Sequence, residues 1–143
     1  MLGLRLRKRV GMTRHRLVRR PVRKRTKAEQ AHYAEHKEAA RALCHARLEH
    51  FNQFYNLQYN RVAIRNTRSR WGSCSSQKNL NFNYRIVFLP KVLQDYLIVH
   101  ELCHLQEMNH GPHFWALVAE QVPQYHKRMQ ELRTHEADLM RLK

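Results

Sequence analysis

The chain has 143 residues, room for one domain with one modest core and for no second catalytic module. Hydrophobic residues make up 43% of it and aromatics 9%, too much for a wholly disordered chain, and its apolar runs are short pieces such as Tyr96–Val99, so no segment reads as a bilayer span. The net charge is +16, and it is uneven: residues 1–27 hold 12 Lys and Arg and no acid, leaving the other 116 residues with 15 cations against 11 acids.

Residues 1–25 therefore read as a basic arm, interrupted by Gly11 and Pro21, disordered or ordered only by a partner. Its Lys and Arg density is the footprint of phosphate binding, so a sequence-independent nucleic-acid contact through residues 1–25 is one expected partnership. A solubilising tail is the plainer reading. No apolar stretch follows the arm as a secretory signal would require, and it lacks the Ser of an organelle transit peptide. Cys44, Cys74 and Cys103, odd in number and without CxxC spacing, point to a reducing compartment, the cytoplasm, and away from a disulfide framework.

Residues 26–143 read as one α+β domain. Thr26-Lys27-Ala28-Glu29 is a capping box, and the Ala- and Glu-rich stretch behind it has no Gly or Pro before Gly72. With Ala39, Leu43, Ala46, Phe51, Phe54 and Tyr55 at roughly helical spacing, this predicts one long helix over 27–56. From Val62 the period shortens to two. Val62 and Ile64 alternate, Arg68–Cys74 holds Trp71, and Leu80, Phe82, Tyr84, Ile86 and Phe88 alternate around a turn-rich 72–79, predicting a small antiparallel sheet. Strand 80–88 offers an edge on which an extended peptide could add. Pro90 suits the first turn of a helix over 91–108, Asn109-His110-Gly111-Pro112 breaks it, and helices over 113–121 and 124–141 complete the chain.

His100-Glu101-Leu102-Cys103-His104 lies inside the helix 91–108. Residues four apart on a helix differ by about 40° in direction, so His100 and His104 can hold one metal ion. Glu101 lies about 100° from His100, near enough to reach a water beside the metal without being a ligand. Two imidazoles, an open coordination position and a carboxylate base are what zinc hydrolysis needs. In so His-rich a chain the HExxH pattern arises by chance in about 5% of cases; requiring His110 as well lowers that to about 0.4%. Six residues past His104, His110 can return to the metal only if the chain bends, and Asn109 and Gly111 are suited to the left-handed conformation that would bend it. Three His ligands with no fourth nearby indicate a catalytic zinc, one ion per chain. His113 is the rival third ligand.

Three segments carry a resemblance: Arg70-Trp71-Gly72-Ser73-Cys74-Ser75, then Asn83-Tyr84-Arg85, then His100–Leu105 running into Asn109-His110 and Phe114-Trp115. Over roughly 61–126 the sequence resembles the YgjP-like metallopeptidases, relatives of the SprT-like zincins. That resemblance implies a zincin-like fold, zinc on His100, His104 and His110, Glu101 as catalytic base, and a protein or peptide substrate. The His spacing also matches metzincins, but their characteristic Gly falls here on Glu107, and no Met-turn is identifiable. Family members generally carry more sheet before the long helix, where this chain has its basic arm.

Further contacts are less determined. Tyr125 or His126, just past the short helix, could donate to the oxyanion, and Arg70 or Arg85 could meet a substrate carbonyl or carboxylate. Trp71 and Cys74 are expected to pack the sheet against the active-site helix, and Cys103 to be a buried small hydrophobe. Two other readings share these features: a nucleic-acid-associated binding protein whose zinc is structural or vestigial, and a metal-dependent hydrolase of a non-peptide amide.

Overall fold

The computed structural model of the chain describes residues 21–140. Most of the basic arm, residues 1–20, lies outside the described residues, as does Arg141 at the end of the last expected helix. Helix α1 spans Lys27–Tyr55. Its start is the capping box: the Thr26 hydroxyl accepts the Glu29 N–H at 3.1 Å, and the Thr26 N–H donates to Glu29 Oε2 at 2.7 Å. Its end is Asn56 in the left-handed region (φ 51°), where the Asn52 amide bonds both the N–H and the carbonyl of Leu57 at 2.8 Å.

The buried face of α1 is Ala40, Cys44, Leu48 and Phe51, rotated from the expected stripe. Ala39, Ala46 and Phe54 are exposed, while Leu43 and Tyr55 are half-buried. Alanines occur on every face of this helix and mark none of them. The larger side chains that meet the core set its rotation.

Strands β1 (Arg61–Arg65), β2 (Gly72–Cys74) and β3 (Asn79–Asn83) form one sheet in the order β1-β3-β2. The expectation of an antiparallel sheet holds only for β2 with β3; β1 runs parallel to β3, pairing Arg61 with Asn79 and Arg65 with Asn83. The link 66–78, which contains β2 itself, supplies the dozen or so residues that a parallel return needs. With a neighbour on each side, β3 cannot take an added strand. Among the described residues the open edges are those of β1 and β2.

The alternation from Leu80 does bury Phe82, Tyr84 and Ile86, but the strand stops at Asn83 and Tyr84–Phe88 form a 3₁₀ helix. The Asn83 side chain accepts the Arg85 N–H at 3.0 Å, a local cap that replaces the strand ladder and leaves Phe88 exposed.

Helix α2 (Lys91–Cys103) is the central element, buried nearly all round through Leu93, Tyr96, Ile98, Val99 and Leu102. It stops short of the expected 108. The His104 N–H is shared between the carbonyls of His100 and Leu102, and the Leu105 N–H bonds Leu102 at 3.1 Å, tightening the last turn. Because that turn already redirects the chain, no left-handed residue is needed: Gly111 sits at φ −88°, and positive φ occurs only at Asn56 and Lys78 among the described residues. Pro112 opens α3 (Pro112–Gln121), and α4 (Tyr125–Leu139) lies over the surface with no buried residue.

Polar contacts along its length fasten α1 to the rest, among them His32 Nδ1 with the Tyr84 hydroxyl at 2.8 Å and Glu29 with Arg68 at 3.0 Å. Arg47 makes a two-pronged pair with Asp95 of α2 at 2.7 and 3.1 Å, the Tyr55 hydroxyl donates to the Leu117 carbonyl at 2.6 Å, and that of Tyr33 to Ile64 at 3.0 Å. No helix among the described residues is long and apolar enough to cross a membrane.

Candidate metal centre

The last turn of α2 presents His100 and His104, and the bend after it brings His110 back to them. The three Nε2 atoms stand 3.2 Å (His100–His104), 3.0 Å (His104–His110) and 3.2 Å (His110–His100) apart. They form the cluster among the described residues that is arranged to hold an ion. His113 is exposed on the first turn of α3 and is not part of that cluster.

The other ring nitrogens set the tautomers. His104 Nδ1 is 2.9 Å from the Glu107 carbonyl, an acceptor that makes Nδ1 the protonated nitrogen and leaves the Nε2 lone pair facing the cluster. His100 Nδ1 lies 3.2 Å from the Tyr96 hydroxyl. Burial, reinforced by the neighbouring imidazoles, holds His100 down to about 3, and burial also lowers His104, so both are neutral donors near pH 7. Three lone pairs directed at one point repel one another unless a cation lies between them. Nitrogens bound tetrahedrally at 2.0–2.1 Å from zinc would be about 3.3 Å apart, close to the separations seen here.

Glu101 lies beside the cluster, 5% exposed, in a cleft lined also by Gly72, Ser73, Cys74 and Met108. Burial pushes its carboxyl up to about 8, with the Arg70 charge pulling the other way. The carboxyl packs directly on the backbone of β2: a Cβ at Gly72 would stand 3.0 Å from Glu101 Cγ and 3.1 Å from Oε1. Gly72 is thus a site residue that sequence reasoning noted as turn punctuation and as part of a resembling segment, without giving it a place at the site. Its signal, a glycine inside a strand, is the mark of a close approach.

Aromatic rings complete the wall. Phe114 stacks on His104 at 4.3 Å, Trp115 on His110 at 5.9 Å, and Tyr125 on Trp115 at 4.8 Å. Tyr125 therefore stands one ring beyond His110, with His126 at its side. Arg85 is elsewhere. It is 5% exposed, donates to Asn66 Oδ1 at 3.2 Å and to the Thr67 carbonyl at 3.1 Å, and lies over the Tyr84 ring, so it holds loop 66–70 and does not line the cleft. Trp71 is buried in the core as expected, and Cys74 faces the cleft.

Comparison with known proteins bears on the family and the fold. Among curated proteins none matches the sequence. Among solved structures, the crystal structure of the metallopeptidase zymogen of Pyrococcus abyssi abylysin is similar, with a TM-score of 0.59 and 21% identity over 64% of this chain and 93% of that one. At this identity the likeness is one of fold. The family model of the YgjP-like metallopeptidase domain matches residues 6–135. With so nearly the whole length matched, the chain belongs to the YgjP-like metallopeptidase family.

Proposed function

We propose that the protein is a zinc-dependent peptidase in which His100, His104 and His110 hold one zinc ion and Glu101 is the general base. The observation that carries this reading is the meeting of three Nε2 atoms at 3.0–3.2 Å with a buried carboxyl alongside. Zinc, when bound, would polarise the attacking water and the scissile carbonyl.

The chain's own groups do the rest. Glu101 accepts a proton from the attacking water and returns it to the leaving amine, a role that its place beside the histidine cluster, in the same cleft, allows. Because Gly72 has no side chain, Glu101 can lie against β2, and the open outer edge of that strand is where an extended polypeptide would pair. Tyr125, one ring beyond His110, is the candidate donor to the oxyanion; Arg85 acts on the cleft only by positioning loop 66–70. Three free thiols, two of them buried, support a reducing compartment such as the cytoplasm.

The test begins with elemental analysis of wild type and His110→Ala purified side by side without added metal. About one zinc per wild-type chain and clear loss in the variant are expected. Glu101→Gln should keep the zinc and lose about 10²–10⁴ in peptide turnover. Undiminished zinc in His110→Ala would move the third ligand, and turnover retained by Glu101→Gln would remove the base.

A further inference from the structure

The histidine cleft does not end at β2. Gly72 and Ser73, which line it, also line a neighbouring cavity of about 330 Å³ that runs along loop 66–70. Ligand pockets typically run from roughly 300 to 1,000 Å³, so this one suits a single side chain with its waters. Arg65 and Arg70 face it, together with the polar side chains of Thr67, Ser69 and Asn81. Its one aromatic residue, Phe82, is fully buried and offers no face on which a nucleobase could stack.

The side chain of Arg65 and the backbone of Arg70 are held in place. Arg65 donates to Asn81 Oδ1 at 3.3 Å. The backbone at Arg70 is pinned where its carbonyl accepts from Thr67 Oγ1 at 2.9 Å and from the buried Asn83 amide at 3.2 Å. Arg41, Arg47, Arg68 and Arg128 each pair with a carboxylate, whereas neither Arg65 nor Arg70 does so among the described residues. Past Thr67 and Ser69 the surface continues into a second cavity that carries Arg23, Lys24 and Arg25.

We infer that the Arg65–Arg70 cavity is a specificity subsite for an acidic side chain, Asp or Glu, of the polypeptide substrate. The inference rests on the peptidase reading and deepens it. Because Gly72 and Ser73 belong to both cavities, the acidic residue lies near the cleaved bond along an extended chain. The guanidinium groups of Arg65 and Arg70, lining one cavity, would bind its carboxylate through charge-assisted hydrogen bonds that glutamine, of the same shape, cannot match.

Matched peptides carrying Glu, Gln or Lys at each position around the cleaved bond test this with wild type, an Arg65→Gln/Arg70→Gln double variant, and Arg70→Glu. Wild type should favour Glu over Gln by about tenfold in kcat/KM at one position. That ratio should fall to near one in the double variant, and Arg70→Glu should shift preference toward Lys. A wild-type ratio of one at every position, or a ratio unchanged in the double variant, overturns the subsite. A binding measurement separates this from the chemistry. On a Glu101→Gln background, fluorescence anisotropy of a labelled Glu peptide should show tighter, more salt-sensitive binding than its Gln counterpart, lost when both arginines are replaced. If no peptide is cleaved but this arginine-dependent binding persists, the peptidase reading fails and the subsite stands. Equal binding of the Glu and Gln peptides overturns the subsite. So does binding of single-stranded oligothymidylate through the same arginines that the Glu peptide cannot displace.

Discussion

Replacing Gly72 by alanine probes the site through one methyl group. The new Cβ would meet the Asn81 carbonyl oxygen at 3.0 Å, Glu101 Cγ at 3.0 Å and Glu101 Oε1 at 3.1 Å. Asn81 is held in the ladder between β3 and its two neighbours, so its backbone yields little. The Glu101 side chain is the part that can move. Carbon atoms rest comfortably at about 3.5–4.0 Å, so Cγ must retreat by about half an ångström, carrying the carboxyl with it. A misplacement of about 1 Å costs on the order of 10²-fold in rate, so about tenfold in kcat/KM is expected. Overpacking of this kind costs about 1–2 kcal/mol, or about 3–7 °C in Tm for a chain of this size. The three histidines are untouched and zinc content should hold at wild-type level. Peptidase kinetics, elemental analysis and a thermal melt on one preparation read all three quantities. Gly111→Ala is the control: it lies next to His110, yet a Cβ there meets nothing within 4 Å. Full activity in Gly72→Ala, or loss of its zinc, would refute the argument that Gly72 exists to seat Glu101.

Other outcomes follow from the core and the thiols. Leu48 is fully buried on α1, so Leu48→Ala should cost about 2–5 kcal/mol in denaturant unfolding, whereas Ala46→Ser on the exposed side should change it by less than about 0.5 kcal/mol. Burial pushes the Cys44 thiol up to about 12 from an ordinary 9.0. Above pH 9 the unfolded chain therefore releases a proton that the folded chain keeps, and this thiol alone should take about 1.4 kcal/mol per pH unit from stability between 9 and 12, with Cys103, pushed up to about 12, and Cys74, to about 11, adding to the loss. Cys44→Ala should lessen the slope by about that share when melts are compared across the range; an unchanged slope would assign the alkaline loss to other groups. Removing zinc by dialysis against a chelator should lower Tm, and restoring about one equivalent should return it, because a ligand held only by the folded state stabilises that state. A Tm indifferent to zinc would contradict a built site.

The parts of this protein that depend on neighbours along the chain were legible in its residues. Thr26 and Glu29 announce the start of α1 because a capping box lies wholly within four residues. His100 and His104 can be matched to one ion because the helical repeat alone puts them on one face. His110 required only a bend, and the residues there could not continue a helix, although the bend itself is made by tightening at 104–106 and not by a left-handed glycine.

What depends on partners distant in sequence was not legible. The rotation of α1 is set by what Leu48 and Phe51 meet, and no local pattern distinguishes Ala39 from Ala40. The run from Leu80 to Phe88 alternates as a strand would, yet the Asn83 side chain caps a 3₁₀ helix in its second half. Parallel pairing of β1 with β3 and the contact between Gly72 and Glu101 are products of packing, as is the joining of the histidine cleft to the Arg65–Arg70 cavity. Local sequence determined the candidate ligands His100 and His104 and the candidate base, since a helix carries its own geometry. Only the tertiary structure decided what faces them, because that depends on side chains brought together across tens of residues by burial of the core.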